Sequence, residues 1–549
     1  MSRMCAEGPA CAALTGLWLL VLAIIGLGGD FPISDDWAYA HATRILLETG
    51  HFERVAYTWA PIISNVAIGS FFSLIFGFSF ETLRASNVFM GWVGILGTYA
   101  LCRQLGATPI LSFLGASLLA LNPLYLVLSY TFMTDIAFAA LCTWSLVCLA
   151  RGLPAVDWRW TSAGLVLAIG AVLSRQVGLA IPVALAATAT VTLAKRPAQL
   201  ALLGLSSAAV AAIFVAAPGL FFGSGDAGRM FTLDKYVGEM LFRRANLYWL
   251  VRNSATELLY FGLFLAPIGL LVLPESRHTR RALAISSISL AGLLFLGLWK
   301  ANLRMPIAHD WIHGYGLGPV NLSGSQNLPV SSGFWFGVTL ASGAGAGLLL
   351  GRLGLEMWER RKSLKESPRW LILAAFASVY LGVFLVRPFF DRYLTAALPP
   401  LIAILLVPTG RSTRTNPRAV GLCLFLILVF GVAAVAGTRD LLVHNRARWS
   451  LLNELLAAGV SPERIDGGGE FGGRYNYDFD RAPFKKLDDP PRRWVVDDAY
   501  VVSLSSQLSG YRPIASREYR RILPPRVERL VVYCRNNEPP PEGFSASSM

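Results

Sequence analysis

Residues 14–50 read LTGLWLLVLAIIGLGGDFPISDDWAYAHATRILLETG, an apolar run long enough to cross a membrane followed closely by two adjacent carboxylates. Apolar runs of about 15 to 22 residues recur from there to Gly437, and each crosses or nearly crosses a bilayer core. The chain of 549 residues is 54% hydrophobic and only 15% charged, whereas a soluble domain is about a quarter charged. We therefore predict an all-α, multi-pass membrane bundle rather than a soluble protein.

The basic charge of the chain is a topology signal. The formal net charge is +14, and the arginine-rich loops between apolar runs hold 18 Lys/Arg against 6 Asp/Glu, while the other segments are nearly balanced. Short cytoplasmic loops are enriched in Lys and Arg. We therefore predict a cytoplasmic N-terminus and an outer C-terminus, with membrane lipids as the surroundings and no nucleic-acid partner.

The number of crossings depends on the segment between the N-terminus and Arg103. Three apolar runs lie there, at about residues 12–29, 62–79 and 84–102. Two cytoplasmic loops must be separated by an even number of membrane crossings, so three crossings are not consistent. The middle run carries small or polar residues on one helix face: Asn65, Gly69, Ser73 and Gly77. We predict that this run lies at the interface or against the bundle, which gives about 13 crossings. A true crossing with a miscounted neighbour stays open.

Ionisable residues at the ends of apolar runs collect on the predicted outer face. They are Asp35, Asp36, Arg84, Asp135, Arg175, Arg387 and Arg392, together with the loop at 300–314. Placing an ionisable group near the membrane core costs free energy, so such groups usually serve a function. A single arginine can also extend its side chain to the lipid headgroups without any further role. Asp35 and Asp36 begin an amphipathic helix. On physical grounds alone, helix capping and catalysis explain them equally well.

Four segments resemble the GT-C glycosyltransferases. They are residues 35–52 (DDWAYAHATRILLETGHF), 59–91, 122–138 (NPLYLVLSYTFMTDIAF) and 391–401 (DRYLTAALPPL). The nearest groups are the dolichyl-phosphate-mannose protein mannosyltransferases and the bacterial aminoarabinose transferase of lipid A. The resemblance covers about the first 400 residues. It implies a helical bundle with a large first outer loop (about 30–83) and inverting transfer of a sugar from a polyprenyl-phosphate carrier to a lipid, glycan or protein acceptor.

The resemblance also implies roles for individual residues. Asp35 matches the catalytic aspartate, and Asp36 stands where glutamate is usual. The candidates for holding the lipid phosphate are Arg84, Arg175, Arg387 and Arg392 with Tyr393. A carboxylate can accept a proton from an attacking hydroxyl, and the arginine fork suits phosphate. Ala38 and Ala60 stand where the family often has basic residues, which leaves the phosphate ligands open.

The remaining candidates carry weaker signals. Asp135 and Tyr39 are further site candidates, and Asp135 could equally be the structural partner of an arginine. His309 and His313 are four residues apart and could ligate a metal if helical, but we favour a solvated loop. No cofactor is firmly implied. A divalent metal has no residue pattern in its favour, and the lack of a Gly-rich nucleotide motif agrees with a lipid-carried donor.

The C-terminal part of the chain changes to a polar composition. We predict a transmembrane domain at 1–437, a soluble outer α/β domain at 438–535 and a disordered tail at 536–549. Residues 449–460 predict a helix capped by Gly459, and residues 493–505 and 527–534 predict strands.

The main alternative function is a non-enzymatic transporter or flippase of lipid-linked sugars. A transporter favours paired repeats and helices broken near the midplane, and the sequence has no such duplication. The resemblance implies an integral protein of the bacterial inner (plasma) membrane.

Overall fold

The computed structural model describes most of the chain. The described residues are 2–53, 55, 57–58, 60–221, 246–271, 277–300, 304–308, 310–320, 322, 330–385, 389–407, 417–477 and 494–544. Two candidates from the sequence, His309 and Arg387, lie outside them.

Seventeen helices make up most of the described chain. They are α1 (Ser2–Ile25), α2 (Asp36–Thr49), α3 (Ile63–Phe76), α4 (Phe80–Gln104), α5 (Pro109–Ala120), α6 (Pro123–Ser129), α7 (Thr134–Gly152), α8 (Trp158–Ser174), α9 (Ala180–Thr192), α10 (Pro197–Phe221), α11 (Asn246–Gly269), α12 (Arg277–Lys300), α13 (Ser332–Arg360), α14 (Pro368–Gly382), α15 (Leu398–Leu405), α16 (Pro417–Ala457) and α17 (Gly469–Asn476). Short 3-10 turns lie at Gln176–Leu179, Leu364–Glu366, Asp391–Ala397 and Pro462–Arg464. The prediction of a mainly helical bundle is confirmed.

Side-chain caps start several of the central helices. Ser79 accepts a hydrogen bond from the Thr82 N–H at the start of α4, and Asn122 accepts from the Leu124 and Tyr125 N–H groups at the start of α6. These caps satisfy backbone donors that a helix leaves unpaired at its N-terminus. Helix α7 then packs between α4 and α8 and against the 3-10 turn at Asp391–Ala397, so this turn is held in the middle of the bundle.

Membrane crossings can be judged from helix length and composition. Among the described residues, six helices are long and apolar enough to cross, or seven if the bent pair α5 and α6, with an angle of 61°, counts as one. Four further apolar helices have 10–17 residues. The chain is an integral membrane protein, and the total of about 13 crossings stays a prediction.

Helix α3 is the middle run whose crossing the sequence left open. Its 14 residues span about 21 Å, which is shorter than a bilayer core of about 30 Å. Its small and polar face is buried: the Asn65 amide donates to the Phe132 carbonyl at 3.1 Å, and Gly69 faces the Phe132 ring. The opposite face, including Phe71 and Leu74, is exposed. The stripe therefore packs against the segment that precedes α7.

Small strands occur in two places. Strands β1 (Ile312–His313) and β2 (Gly316–Leu317) form a short hairpin in the segment between α12 and α13. Near the C-terminus, β3 (Ile465–Asp466), β4 (Tyr500–Ser503), β5 (Tyr511–Arg521) and β6 (Arg526–Arg535) form one sheet in the order β3-β4-β6-β5. Only the pair β3 and β4 is parallel. Strands β4 and β6 agree with the predicted strands, and β3 and β5 are additions to them.

Helix α16 connects the membrane bundle to this sheet. It runs for 41 residues without a break across position 438, and the segment predicted as a separate helix at 449–460 is its last part. The Asp440 carboxylate accepts hydrogen bonds from the Ile522 and Leu523 N–H groups, and His444 contacts the Tyr519 hydroxyl at 2.8 Å. The end of β5 is therefore fastened to the helix.

The structure differs from the predicted disordered tail in the first part of that segment. Residues 536–544 pack on the sheet, where Glu538 pairs with Arg464 at 2.7 Å and the Tyr500 hydroxyl donates to the Pro539 carbonyl at 2.8 Å. This proline-containing segment is thus held by polar contacts that composition does not reveal. Residues 545–549 lie outside the described residues.

A close crossing of α11 and α13 gives a test of the packing. A Cβ atom on Gly345 would lie 2.0 Å from the Gly262 carbonyl oxygen, whereas a Cβ on Gly354 in the same helix meets nothing within 4 Å. We expect Gly345→Ala to lower the free energy of unfolding by about 1–3 kcal/mol, because the helices must separate. The control Gly354→Ala should be neutral or stabilising. Thermal unfolding in detergent measures both, and equal midpoints would contradict the close crossing.

Candidate active site

Asp35 stands at the entrance of α2 with its side chain turned away from the helix. It occupies the N-cap position but makes no side-chain capping hydrogen bond. Instead the Tyr57 hydroxyl donates to Asp35 Oδ1 at 3.0 Å. The side chain is 25% exposed. A helix-capping role therefore does not account for Asp35, and its carboxylate is open to a ligand.

Asp36 has the opposite environment. Its residue is only 2% exposed, and its two oxygens accept from the Phe132 N–H at 3.0 Å and the Ile33 N–H at 3.4 Å. Burial raises the pKa of Asp36 to about 7, against the hydrogen bonds and the charge of Arg84. Asp36 thus fastens the start of α2 to the segment before α7.

Arg392 lies at the centre of a cluster of carboxylates. Its Nε is 3.4 Å from Asp310 Oδ2 and 4.0 Å from Asp135 Oδ2, and its Nη2 is 4.0 Å from Asp35 Oδ2. The guanidinium also lies 4.9 Å from the centre of the Phe390 ring. Its side chain is only 10% exposed. The three acids keep this buried cation charged, while none of them lies at the usual hydrogen-bond distance of about 2.9 Å.

Asp391 holds the loop that carries Asp310. Its carboxylate accepts from the Trp311 N–H at 3.1 Å and from the Ile312 N–H at 2.8 Å. Burial raises the pKa of both Asp391 and Asp310. The side chains of Asp391 and Arg392 therefore have separate partners, with the first binding backbone and the second facing the carboxylate cluster.

Arg175 adjoins the same cluster. It forms an ion pair with Asp135 and lies 3.4 Å from the Thr134 hydroxyl. Its guanidinium also lies 4.3 Å from the centre of the Tyr393 ring. Asp135 is 2% exposed and lies between the two arginines. The structure thus brings Arg175, Arg392, Tyr393 and Asp135 together, as the sequence candidates suggested.

Tyr39 lies buried beside this group. Burial raises the pKa of its hydroxyl well above the usual range, with the charge of Asp35 adding to the effect and the charge of Arg392 opposing it. The ring of Tyr39 belongs to the hydrophobic core. It therefore forms the floor of the site on the α2 side.

Arg84 lies apart from the cluster. Its guanidinium donates to the carbonyls of Leu27 at 2.5 Å, Gly29 at 3.2 Å and Phe31 at 3.1 Å. The residue is 1% exposed. Its donors hold the chain between α1 and α2, so this arginine shapes the entry to Asp35 and Asp36.

His313 belongs to the loop beside Asp310. Its Nε2 lies 2.6 Å from the Asp310 carbonyl oxygen, and its ring stacks on Tyr315 at 4.8 Å. Within the part of the chain that the structure describes, no three His, Cys, Asp or Glu side chains are arranged to hold a metal. His313 is thus the second residue of β1, where it pairs with Gly316 of β2.

Three residues of the site were missed by the sequence reasoning. Asp310 was not named as a candidate, whereas the two histidines near it were, although its loop was predicted to lie on the outer face. Asp391 begins the fourth resembling segment but was not named as a site candidate, and no sequence pattern marks Tyr57 as a partner of Asp35. The only signal for all three was their position in outer segments.

The comparison with protein families supports the resemblance carried by the motifs. Residues 61–222 match the family of dolichyl-phosphate-mannose-protein mannosyltransferases. This match agrees with the resemblance to the GT-C glycosyltransferases that the sequence motifs carry. The matched segment contains Arg84, Asp135 and Arg175, whereas Asp35 and Arg392 lie outside it. Among curated proteins, none matches.

The structure comparison finds low similarity to the following solved structures. ArnT from Cupriavidus metallidurans bound to undecaprenyl phosphate shares 15% identity over 96% of this chain and 99% of its own, with a TM-score of 0.42. Its apo state has a TM-score of 0.40. An oligosaccharyltransferase from Archaeoglobus fulgidus, tethered with an acceptor peptide, shares 14% identity with a TM-score of 0.42. This chain covers 60% of that protein's length.

The buried Asp36 predicts a particular pH dependence of stability. The folded chain keeps a proton on Asp36 up to a pH of about 7, whereas the unfolded chain releases it near 3.8. The free energy of unfolding should therefore fall as pH rises through this window, by at most about 1.4 kcal/mol per pH unit from this group. We expect Asp36→Asn to flatten this slope, because the amide keeps the acceptor for the Phe132 N–H and never ionises.

Thermal or denaturant unfolding between pH 4 and 8 measures this slope. The matched control is Glu48→Gln in the same helix, since Glu48 has a side chain that is 65% exposed. An Asp36→Asn slope equal to that of wild type would show that Asp36 is ionised in the fold.

Proposed function

We propose that this protein is an inverting glycosyltransferase that moves a sugar from a polyprenyl-phosphate carrier to an acceptor hydroxyl at the outer face of the membrane. The observation that carries the proposal is the exposed carboxylate of Asp35, with its Oδ2 4.0 Å from the guanidinium of Arg392. A base for the acceptor and a cation for the leaving phosphate thus stand side by side. The family match supports the donor class, since its description includes dolichyl phosphate mannose.

Asp35 acts as the general base in this mechanism. The acceptor oxygen bonds to the anomeric carbon of the sugar as its proton passes to the Asp35 carboxylate. The bond from that carbon to the phosphate oxygen breaks, and its electron pair leaves with the polyprenyl phosphate. A single displacement of this kind inverts the anomeric carbon. Asp36 orients Asp35 by fastening the first turn of α2.

Arg392 and Arg175 hold the phosphate of the donor. Hydrogen bonds from arginine to phosphate are strong and often bidentate, and they stabilise the charge that develops on the leaving group. In Arg392 the Nε atom has no hydrogen-bond partner among the described residues. Phosphate can therefore bind without breaking a tight ion pair, while Asp135 keeps Arg175 in place.

The wider organisation follows the same proposal. Residues 1–437 form the transmembrane domain and residues 438–535 an outer domain, with a cytoplasmic N-terminus in a bacterial inner membrane. The sugar is supplied by the lipid, and the acceptor is a lipid, a glycan or a protein. A flippase for lipid-linked sugars is the competing class, and the transfer assays below separate the two.

Asp35→Asn tests the general base. We expect the turnover number to fall by about 10²–10⁴, while donor binding and thermal stability stay close to wild type, because the Asp35 side chain makes no capping bond. The assay is sugar transfer from a polyprenyl-phosphate donor, with binding measured on the same preparation and Glu48→Gln as the matched control. Near-normal turnover would remove Asp35 from the mechanism. A severe loss only in Asp36→Asn would exchange the two roles.

Arg392→Ala tests the phosphate contact. Hydrogen bonds to charged groups contribute about 1.5–3 kcal/mol, so donor affinity should weaken by roughly 10- to 100-fold in the variant protein that folds. The variant should also be less stable, because Asp35, Asp135 and Asp310 lose their shared cation. Arg392→Lys keeps the charge among the three carboxylates but loses the forked guanidinium. Its donor affinity should therefore lie between those of wild type and Arg392→Ala. Donor affinity is measured by competition with unlabelled polyprenyl phosphate. If correctly folded Arg392→Ala binds the donor as wild type does, Arg392 has only a structural role.

A further inference from the structure

The residue before Asp35 has an unusual backbone conformation. Ser34 has a φ of +57°, a region that residues other than glycine adopt only when their surroundings hold them there. Its N–H donates to Glu470 Oε1 at 3.3 Å. Glu470 belongs to α17 in the C-terminal region, so this part of the chain reaches back to the turn that presents Asp35.

Glu470 is itself held firmly. It is 3% exposed and pairs with Arg448 Nη2 at 2.9 Å, and Arg448 also donates through its Nε to the Gly467 carbonyl at 2.9 Å. A buried ion pair with further hydrogen bonds keeps one geometry. The acceptor for the Ser34 N–H therefore has a fixed position.

The carboxylate of Asp35 is held by a second contact that also depends on the C-terminal region. The Tyr57 hydroxyl donates to Asp35 Oδ1, and the Tyr57 ring packs with Trp37, Tyr477 and Trp494 at centroid distances of 5.2, 6.4 and 5.3 Å. Tyr477 and Trp494 both come from the C-terminal region. Four aromatic rings packed together leave the Tyr57 hydroxyl little freedom.

We propose that the C-terminal region, residues 438–535, positions the base of the transfer reaction, with Glu470 and Tyr57 as the positioning residues. Glu470 sets the backbone before Asp35, and Tyr57 sets the direction of the Asp35 carboxylate. This inference rests on the proposed function, in which Asp35 is the general base. A displacement of about 1 Å at a reacting group can cost about 100-fold in rate, so both contacts act on turnover rather than on donor binding.

Tyr57→Phe removes the hydroxyl and keeps the ring in the aromatic cluster. We expect the turnover number to fall roughly 10- to 100-fold, with the KM for the lipid donor unchanged. Tyr500→Phe is the matched control, because the Tyr500 hydroxyl also donates one hydrogen bond within the C-terminal region, to the Pro539 carbonyl. Turnover of Tyr57→Phe equal to that of Tyr500→Phe would overturn the role of Tyr57.

A pair of substitutions at Glu470 separates positioning from stability. Both Glu470→Ala and Glu470→Gln remove the charge that balances Arg448 and should lower the melting temperature. The glutamine still offers an oxygen to the Ser34 N–H, so it should restore most of the turnover that the alanine loses. A merely structural Glu470 would instead give turnover per folded molecule that is the same in both variants and in wild type.

Hydrogen exchange tests the Ser34 contact without the need for activity. In the full-length protein, the peptide covering residues 31–40 should exchange faster in Glu470→Ala than in wild type or in the control Glu538→Gln, which removes the charge of another acid paired in the same region. Unchanged exchange would overturn the contact. If wild type transfers no sugar from any lipid donor, the proposed function fails and the positioning role fails with it. An active wild type with unaffected variants overturns the positioning role alone.

Discussion

The charge of Arg392 constrains how several distant segments of this molecule pack together. A guanidinium that is 10% exposed needs compensation, because the effective cost of burying an ion is several kcal/mol. The three compensating carboxylates come from distant parts of the chain, since Asp35 precedes α2, Asp135 begins α7 and Asp310 lies in the loop before β1. Their shared cation requires these segments to meet. Asp391 adds to this by binding the backbone that follows Asp310.

The two kinds of arginine in this region show what separates structural support from ligand binding. Both terminal nitrogens of Arg84 donate to backbone carbonyls at 2.5–3.2 Å, and replacing those bonds with a phosphate would leave the carbonyls unpaired. Arg392 faces its acids at 3.4–4.0 Å. Its attraction to them is mainly through charge, so a phosphate can be received at little cost in hydrogen bonds. Only an arginine with the surroundings of Arg392 suits a donor that must bind and then be released.

Parts of this arrangement could be predicted from the sequence because they depend on local pattern. Composition identified the membrane class, and the amphipathic spacing after Asp36 predicted α2, which ends at Gly50 with a φ of +73°. The change to a polar composition at residue 438 suggested a domain boundary, yet α16 continues through it. A helix that leaves the membrane changes from apolar to polar surface residues without ending. Strand β5 was missed because a register shift between Pro513 and Ala515 breaks the alternation of buried and exposed residues along the strand.

The site itself depends on contacts that no local pattern carries. Asp310 becomes a partner of Arg392 only when the loop folds back onto the turn at Asp391–Ala397. In the same way, sequence could not tell that Arg84 faces carbonyls, or that Asp36 is buried while its neighbour Asp35 is open. Each of these differences depends on tertiary packing, which decides exposure residue by residue.

The most direct test of the central claim is the reaction itself. Purified protein in lipid nanodiscs is incubated with a panel of polyprenyl-phosphate sugars labelled in the sugar, together with lipid, glycan and peptide acceptors, and the products are analysed for anomeric configuration. The same protein in sealed vesicles is tested for movement of the labelled lipid across the bilayer. The account predicts a transferred sugar with inverted configuration and released polyprenyl phosphate. Movement of intact lipid-linked sugar without any transfer would contradict it.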